Sequence, residues 1–210
     1  MERTLNFFTP PRSIKNRNVV IGIDPGVTTG LSVMVVDDLS NGVEAVMAWG
    51  SDQISYGGSG NVQDLYEGDE RFSEQEICEQ IGKAIVRWSK YNKVYVACED
   101  FIIRKPNSTR DFLAPVRITA GIMQEIYKAG KDIDVIFQPP SEAKGVCTNE
   151  RMDLWGFPIK TQKDRHSRDA DRHSILLLRK FMADPRTSKL LLSVPPKSTK
   201  SSNSRTRTAQ

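Results

Sequence analysis

Apolar positions along the chain recur with a period of two in some stretches and of about 3.6 in others, and the switches between the two lay out the elements. Asn18 to Asp24 (NVVIGID) is a β-branched run stopped by Pro25-Gly26, the pattern of a buried strand entering a tight turn. Gly30 to Asp38 (GLSVMVVDD) and Val43 to Gly50 (VEAVMAWG) are two further strand-like runs. Asn41-Gly42 between them is a hairpin signal, so the chain opens with three adjacent antiparallel strands. Residues 50–72, rich in Gly, Asp and Glu, read as a mobile surface loop. Ser73-Glu-Gln-Glu76 is a capping box. Behind it Ile77, Ile81, Ala84, Ile85 and Trp88 share one helical face. Lys93 to Asp100 (KVYVACED) is a fourth strand. Residues 108–130 give a second helix, with Val116, Ala120, Met123 and Tyr127 expected inward and Pro115 in its first turn. Residues 132–138 (DIDVIFQ) form a fifth strand closed by Pro139-Pro140, and Ser141 is the expected N-cap of a short helix. Asp164 to Met182 is the last helix, with Ala170, Leu177, Leu178 and Phe181 inward. The order is β-β-β-α-β-α-β-α. It implies an α/β fold around a mixed five-stranded sheet, three antiparallel strands followed by parallel additions, flanked by helices.

The ends of the chain differ from its body. Residues 1–17 are polar with Pro10-Pro11 and read as a flexible leader, which leaves 18–184 as the folded domain. The 210 residues carry a net charge of +4. From Arg179 onward eight basic residues stand against one acid, net +7, which leaves −3 for the first 178 residues. Residues 185–210 therefore read as a basic, disordered tail. A basic tail with a pI near 9.0 fits a polyanion partner, and equally fits a solubilising extension. No apolar run approaches the ~20 residues that span a bilayer, so no membrane role is expected. The N-terminus lacks the apolar stretch of a secretory signal. Three widely spaced cysteines (Cys78, Cys98, Cys147) exclude a disulfide framework and point to a reducing, cytoplasmic setting.

Candidate chemistry lies in the carboxylates. Asp24 ends the first strand and Glu99 the fourth, each after an apolar run in which a charge is costly without a partner. An Asx turn before Pro25 is the other reading of Asp24, and an exposed strand end that of Glu99, because only one of Glu99 and Asp100 can face inward. On the last helix His166, Asp169 and His173 fall at i, i+3 and i+7 and share one face. A solvated polar face is the alternative there. Convergence of acids from three distant segments favours a site. Gathered carboxylates stay ionised together only if a cation neutralises them. Oxygen ligands suit Mg²⁺ or Mn²⁺, and two such ions about 3.5–4 Å apart can activate water and stabilise the leaving oxygen of a phosphodiester. Zinc is disfavoured, since Cys147 and the two histidines lack ligand spacing.

At these residues the chain resembles the RuvC-like Holliday junction resolvases of the RNase H-like superfamily, especially the bacteriophage variants, over about residues 18–183. IGIDPGVTTG resembles that family's first-strand motif, VACEDF its fourth-strand motif, HSRDA its closing helix motif, and Pro140-Ser-Glu-Ala-Lys144 its lysine-bearing segment. The resemblance implies a ligand and catalytic set of Asp24, Glu99, Asp169 and His166, with Asp171 out of register. It also implies two Mg²⁺ ions per site, with Mn²⁺ as a substitute. Lys144 would contact phosphate. Phe101 stands two residues after Glu99, one short of the family's aromatic wedge. Arg104, Lys105, Arg110 and Arg117 could line a DNA channel through salt-dependent phosphate contacts. The implied activity is that of a homodimeric crossover junction endodeoxyribonuclease. It would cut four-way junctions and other branched DNA and leave 5′-phosphate and 3′-hydroxyl ends. Two rival readings stand beside it. DPGVTTG also resembles the phosphate turn of actin-like and sugar-kinase ATPases, which need two facing domains, and a non-catalytic binder of branched DNA would share the fold.

Overall fold

The computed structural model describes residues 5–55, 73–102, 110–131, 133, 135–158 and 165–184. Five strands form one sheet: β1 (Asn18–Asp24), β2 (Thr28–Val36), β3 (Val46–Ser55), β4 (Lys93–Glu99) and β5 (Val135–Gln138). Their order is β3-β2-β1-β4-β5. β1 pairs antiparallel with β2, and β2 with β3, while β4 runs parallel to both β1 and β5. This is the mixed sheet that the sequence predicts. The helices are α1 (Glu74–Ser89), α2 (Ala114–Lys128), α3 (Pro140–Val146), α4 (Asn149–Leu154) and α5 (Arg165–Ala183).

The period of two sorts the strand residues into two cores. Val19, Ile21 and Ile23 of β1, with Val96 and Cys98 of β4, pack under α1 and α2. Val20 of β1, with Tyr95 and Ala97 of β4, packs under α5, α3 and α4. The result is three layers with helices on both faces, as parallel β-α-β crossovers require. Ser73 caps α1 by accepting from the Glu76 amide at 3.2 Å, while the Glu76 carboxylate accepts from the Ser73 amide at 2.6 Å.

Several expectations change. Asn41-Gly42 does not make a two-residue hairpin. It lies in a 3₁₀ segment, Leu39–Ala45, where Gly42 adopts φ 57° and Leu39 and Val43 are buried, so the β2–β3 connection is itself part of the core. β3 runs on to Ser55, which takes residues 50–55 out of the expected loop, and residues 56–72 lie outside the described residues. The second helix buries a different face from the expected one: Ala114, Ile118, Ile122 and Ile126 face inward, while Val116, Met123 and Tyr127 are exposed. Pro139, not Ser141, precedes the first turn of α3. α4, which carries no strong periodicity, starts at a Thr148 cap.

The leader is also corrected. Phe7 is 1% exposed and lies in the α1–α2 core. Trp88 Nε1 donates to the Phe7 carbonyl at 2.8 Å, and the Leu5 amide donates to Trp49 O at 3.2 Å. The tail from residue 185 lies outside the described residues, and no helix among the described residues is long and apolar enough to cross a membrane.

Candidate functional site

Alternation along the strands decides which acids face inward. In β1 the even positions face α5, and Asp24 is the last of them; in β4 the odd positions do, and Glu99 is the last of those. The two acids stand one step beyond the Ile23–Cys98 pair of neighbouring parallel strands. Asp100 takes the opposite parity, and its amide donates to Gln138 O at 2.9 Å.

Two glycines set the height of α5 above the sheet. A Cβ on Gly22 would stand 2.1 Å from the carbonyl oxygen of Ala170, and one on Gly30 would stand 1.9 Å from that of His166. The helix main chain therefore rests directly on β1 and β2, with no side-chain layer between. This approach brings the helix face of His166, Asp169 and His173 to the strand ends.

Each of the three finds a partner. His166 Nδ1 lies 2.8 Å from Asp24 Oδ2. His173 Nε2 lies 3.0 Å from Glu99 Oε2, and its Nδ1 3.0 Å from Gln138 Oε1. Asp169 is held by two cations: Lys144 Nζ stands 3.2 Å from Oδ2, and Arg172 donates to Oδ1. Arg172 is itself anchored, to Cys147 O at 3.0 Å and Asn149 Oδ1 at 2.5 Å.

Burial and neighbouring charges both act on Asp24. Asp24 is 7% exposed, and its burial lifts the carboxyl above the usual carboxylate range. The His166 hydrogen bond pulls it back, while the charges of Glu99 and Asp169 push it further up. That hydrogen bond in turn raises the His166 imidazole. Negative charge is thus concentrated at Asp24 and only partly offset. As the side chains stand, no three His, Cys, Asp or Glu among the described residues close on one point. His166, Lys144 and Arg172 occupy carboxylate oxygens instead. The donor set is nevertheless rich in oxygen and short of compensating charge at Asp24, which is the chemistry that a hard divalent cation satisfies.

The other expected residues divide. Lys144 lies at the site, on Asp169. Phe101 packs edge-on against Phe112, ring centroids 5.3 Å apart. Arg117 is paired in this structure: its Nε and Nη2 grip the Glu74 carboxylate at 2.9–3.0 Å, tying α2 to α1. Arg104, Lys105 and the side chain of Arg110 lie outside the described residues. Asp171 is 2% exposed and accepts from Trp49 Nε1 at 2.8 Å. Sequence reasoning placed His173 on the right face without giving it a partner, and it missed Gln138, Arg172 and Asn149. The signal for Gln138 was a polar residue ending an apolar strand, as with Asp24 and Glu99.

No protein-family model matches the sequence. No curated protein matches it either. Solved structures do. The structure of Thermus thermophilus RuvC aligns with TM-score 0.51 and 17% identity, covering 79% of this chain and 96% of that one. T. thermophilus RuvC in complex with Holliday junction substrate aligns with TM-score 0.53 and 18% identity, covering 79% and 94%. The yeast mitochondrial Holliday junction resolvase aligns with TM-score 0.47 and 10% identity, covering 86% and 87%. At 17–18% identity the likeness to RuvC speaks for architecture, and with the β3-β2-β1-β4-β5 sheet and its flanking helices it shows that this chain has a RuvC-like, RNase H-like fold.

Proposed function

We propose that this protein is a divalent-metal-dependent endonuclease that cuts branched DNA, four-way junctions foremost. The observation that supports the reading is that Asp24 and Glu99 end neighbouring parallel strands one step beyond the Ile23–Cys98 pair, and that His166 of the distant helix α5 reaches Asp24 Oδ2 at 2.8 Å. The similar RuvC structure solved with a Holliday junction substrate supports the choice of DNA.

Asp24, Glu99, Asp169 and His166 are the residues that would hold Mg²⁺ or Mn²⁺. Bound there, a pair of such ions supplies an activated water and stabilisation of the leaving oxygen. The chain's own groups do the rest. Lys144, half-exposed on a long flexible stem, turns from Asp169 to a phosphate oxygen. Arg172, anchored at Cys147 and Asn149, stays to orient Asp169. His166 Nδ1, 2.8 Å from Asp24 Oδ2, orients that carboxylate, and in place of a ligand role it would pass a proton to or from the reacting oxygen. The Phe101–Phe112 pair offers an aromatic edge beside Glu99 for unstacked bases. Paired nicking of a symmetric junction requires two such sites, hence a homodimer, acting in the reducing cytoplasm.

The test is incubation with four-way, flap, fork and linear DNA in Mg²⁺ and in EDTA. Junction cleavage is expected in Mg²⁺ alone. Asp24→Asn should abolish cutting and leave junction binding largely intact, and undiminished turnover by that variant would end the assignment. Sedimentation at micromolar concentration should show a dimer; a strict monomer would instead indicate single nicks in flaps or forks.

A further inference from the structure

His173 is 1% exposed, and its two ring nitrogens face Glu99 and Gln138. Gln138 is fully buried at the end of β5, in register beside Glu99. Its Nε2 has no hydrogen-bond partner, although a buried amide N–H is costly to leave unpaired. The two ends of a glutamine amide have nearly the same shape. With the amide turned over, Nε2 donates to His173 Nδ1. The unpartnered atom is then a carbonyl oxygen, the lesser cost. Nδ1 is then an acceptor, so the imidazole carries its proton on Nε2 and donates it to Glu99 Oε2. Every contact in the row Gln138–His173–Glu99 becomes attractive, and no buried charge on the imidazole is needed.

We infer that His173, oriented by Gln138, is a positioning residue that holds one oxygen of Glu99 and leaves the other for a divalent cation. This rests on the metal-site reading proposed above. A carboxylate with one oxygen fixed by an N–H donor loses rotamer freedom before the cation arrives, so less ordering remains to be done on binding.

The experiment is Mn²⁺ binding to the full chain without DNA, by calorimetry, alongside thermal unfolding. His173→Leu fills the same space without a donor. It should fold and weaken Mn²⁺ affinity by roughly 10–100-fold, the scale for loss of a group that orients a ligand. His173→Gln, whose amide Nε2 reaches toward Glu99, should return most of that affinity. In the wild-type protein, ¹⁵N-histidine NMR should show the Nε2–H tautomer for His173; an Nδ1–H tautomer would overturn the proposal even if His173→Leu failed to fold. A lower melting temperature with unchanged Mn²⁺ affinity would also overturn it and assign His173 to packing alone. Asp24→Asn and Glu99→Gln separate the two failures. If both lose Mn²⁺ and His173→Leu does not, only the role of His173 falls. If both bind as wild type does, the metal-site reading falls and this inference with it.

Discussion

Asp24 and His166 are 142 positions apart in the chain, yet Asp24 Oδ2 and His166 Nδ1 meet at 2.8 Å across the joint between β1 and α5. The contact does not fully compensate the acid. Burial and the neighbouring carboxylates leave the Asp24 carboxyl raised in the folded state. An acid whose folded pKa is raised favours the fold while protonated and loses that contribution as pH climbs through the folded value, so ionised Asp24 weakens the metal-free protein at neutral pH. Asp24→Asn should therefore raise the melting temperature at pH 7 in EDTA by a few degrees, the scale on which about 1 kcal/mol moves a domain of this size. A differential scan of the two proteins checks this, and Mg²⁺ should narrow the gap by stabilising only the wild type.

Replacing Gly30 by alanine puts a Cβ 1.9 Å from a helix carbonyl, which cannot move aside as a flexible side chain can. Gly30→Ala should cost about 3 kcal/mol or more in urea unfolding, at the upper end for overpacking. Gly145 in α3 has nothing within 4 Å of its would-be Cβ, so Gly145→Ala should be neutral or stabilising by about 0.5–1 kcal/mol.

Phe7 belongs to the buried cluster under α1 and α2 and its carbonyl accepts from Trp88 Nε1, although it lies in a segment that local sequence marks as unstructured. Phe7→Ala should destabilise by roughly 3–5 kcal/mol, the usual range for a buried phenylalanine. Chemical denaturation distinguishes this from the near-zero effect expected of a flexible leader.

All three cysteines are buried, and burial pushes the Cys98 thiol up to about 12 and those of Cys78 and Cys147 up to about 11. Raised values mean almost no thiolate, the reactive form, at pH 8. A thiol-specific chromogenic disulfide reagent should titrate no fast-reacting group in the native protein at pH 8 and all three in urea.

The strands and the strand-end acids were legible because a period of two fixes both the element and the side on which its last residue emerges. Asp24 and Glu99 followed from that parity once α5 was seen to cover one face. The inward side of α2 was not legible by the same means. Ile118, Ile122 and Ile126 form one apolar row and Val116, Ala120, Met123 and Tyr127 another, so periodicity alone does not choose between them. The deciding contacts involve glycines: a Cβ on Gly82 would meet Glu125 Cβ at 2.4 Å, and one on Gly121 would meet Cys78 Sγ at 2.4 Å. Small residues mark where α1 and α2 approach closely, a signal present in the sequence but outweighed by the larger side chains. The packing of Phe7 depends wholly on tertiary structure, and the Gln138–His173–Glu99 row became visible only when β5 was placed beside β4.

The bare contact of α5 with β1 and β2 at Gly22 and Gly30 has a bearing on how such a site is inherited. The gap from the strand-borne acids to the helix-borne ones is a main-chain dimension, fixed by peptide groups in touch. Apolar side chains elsewhere in the interior can exchange volume with one another without altering that gap. Sequences can thus drift widely while the two halves of the site stay in alignment, provided two positions never acquire a side chain.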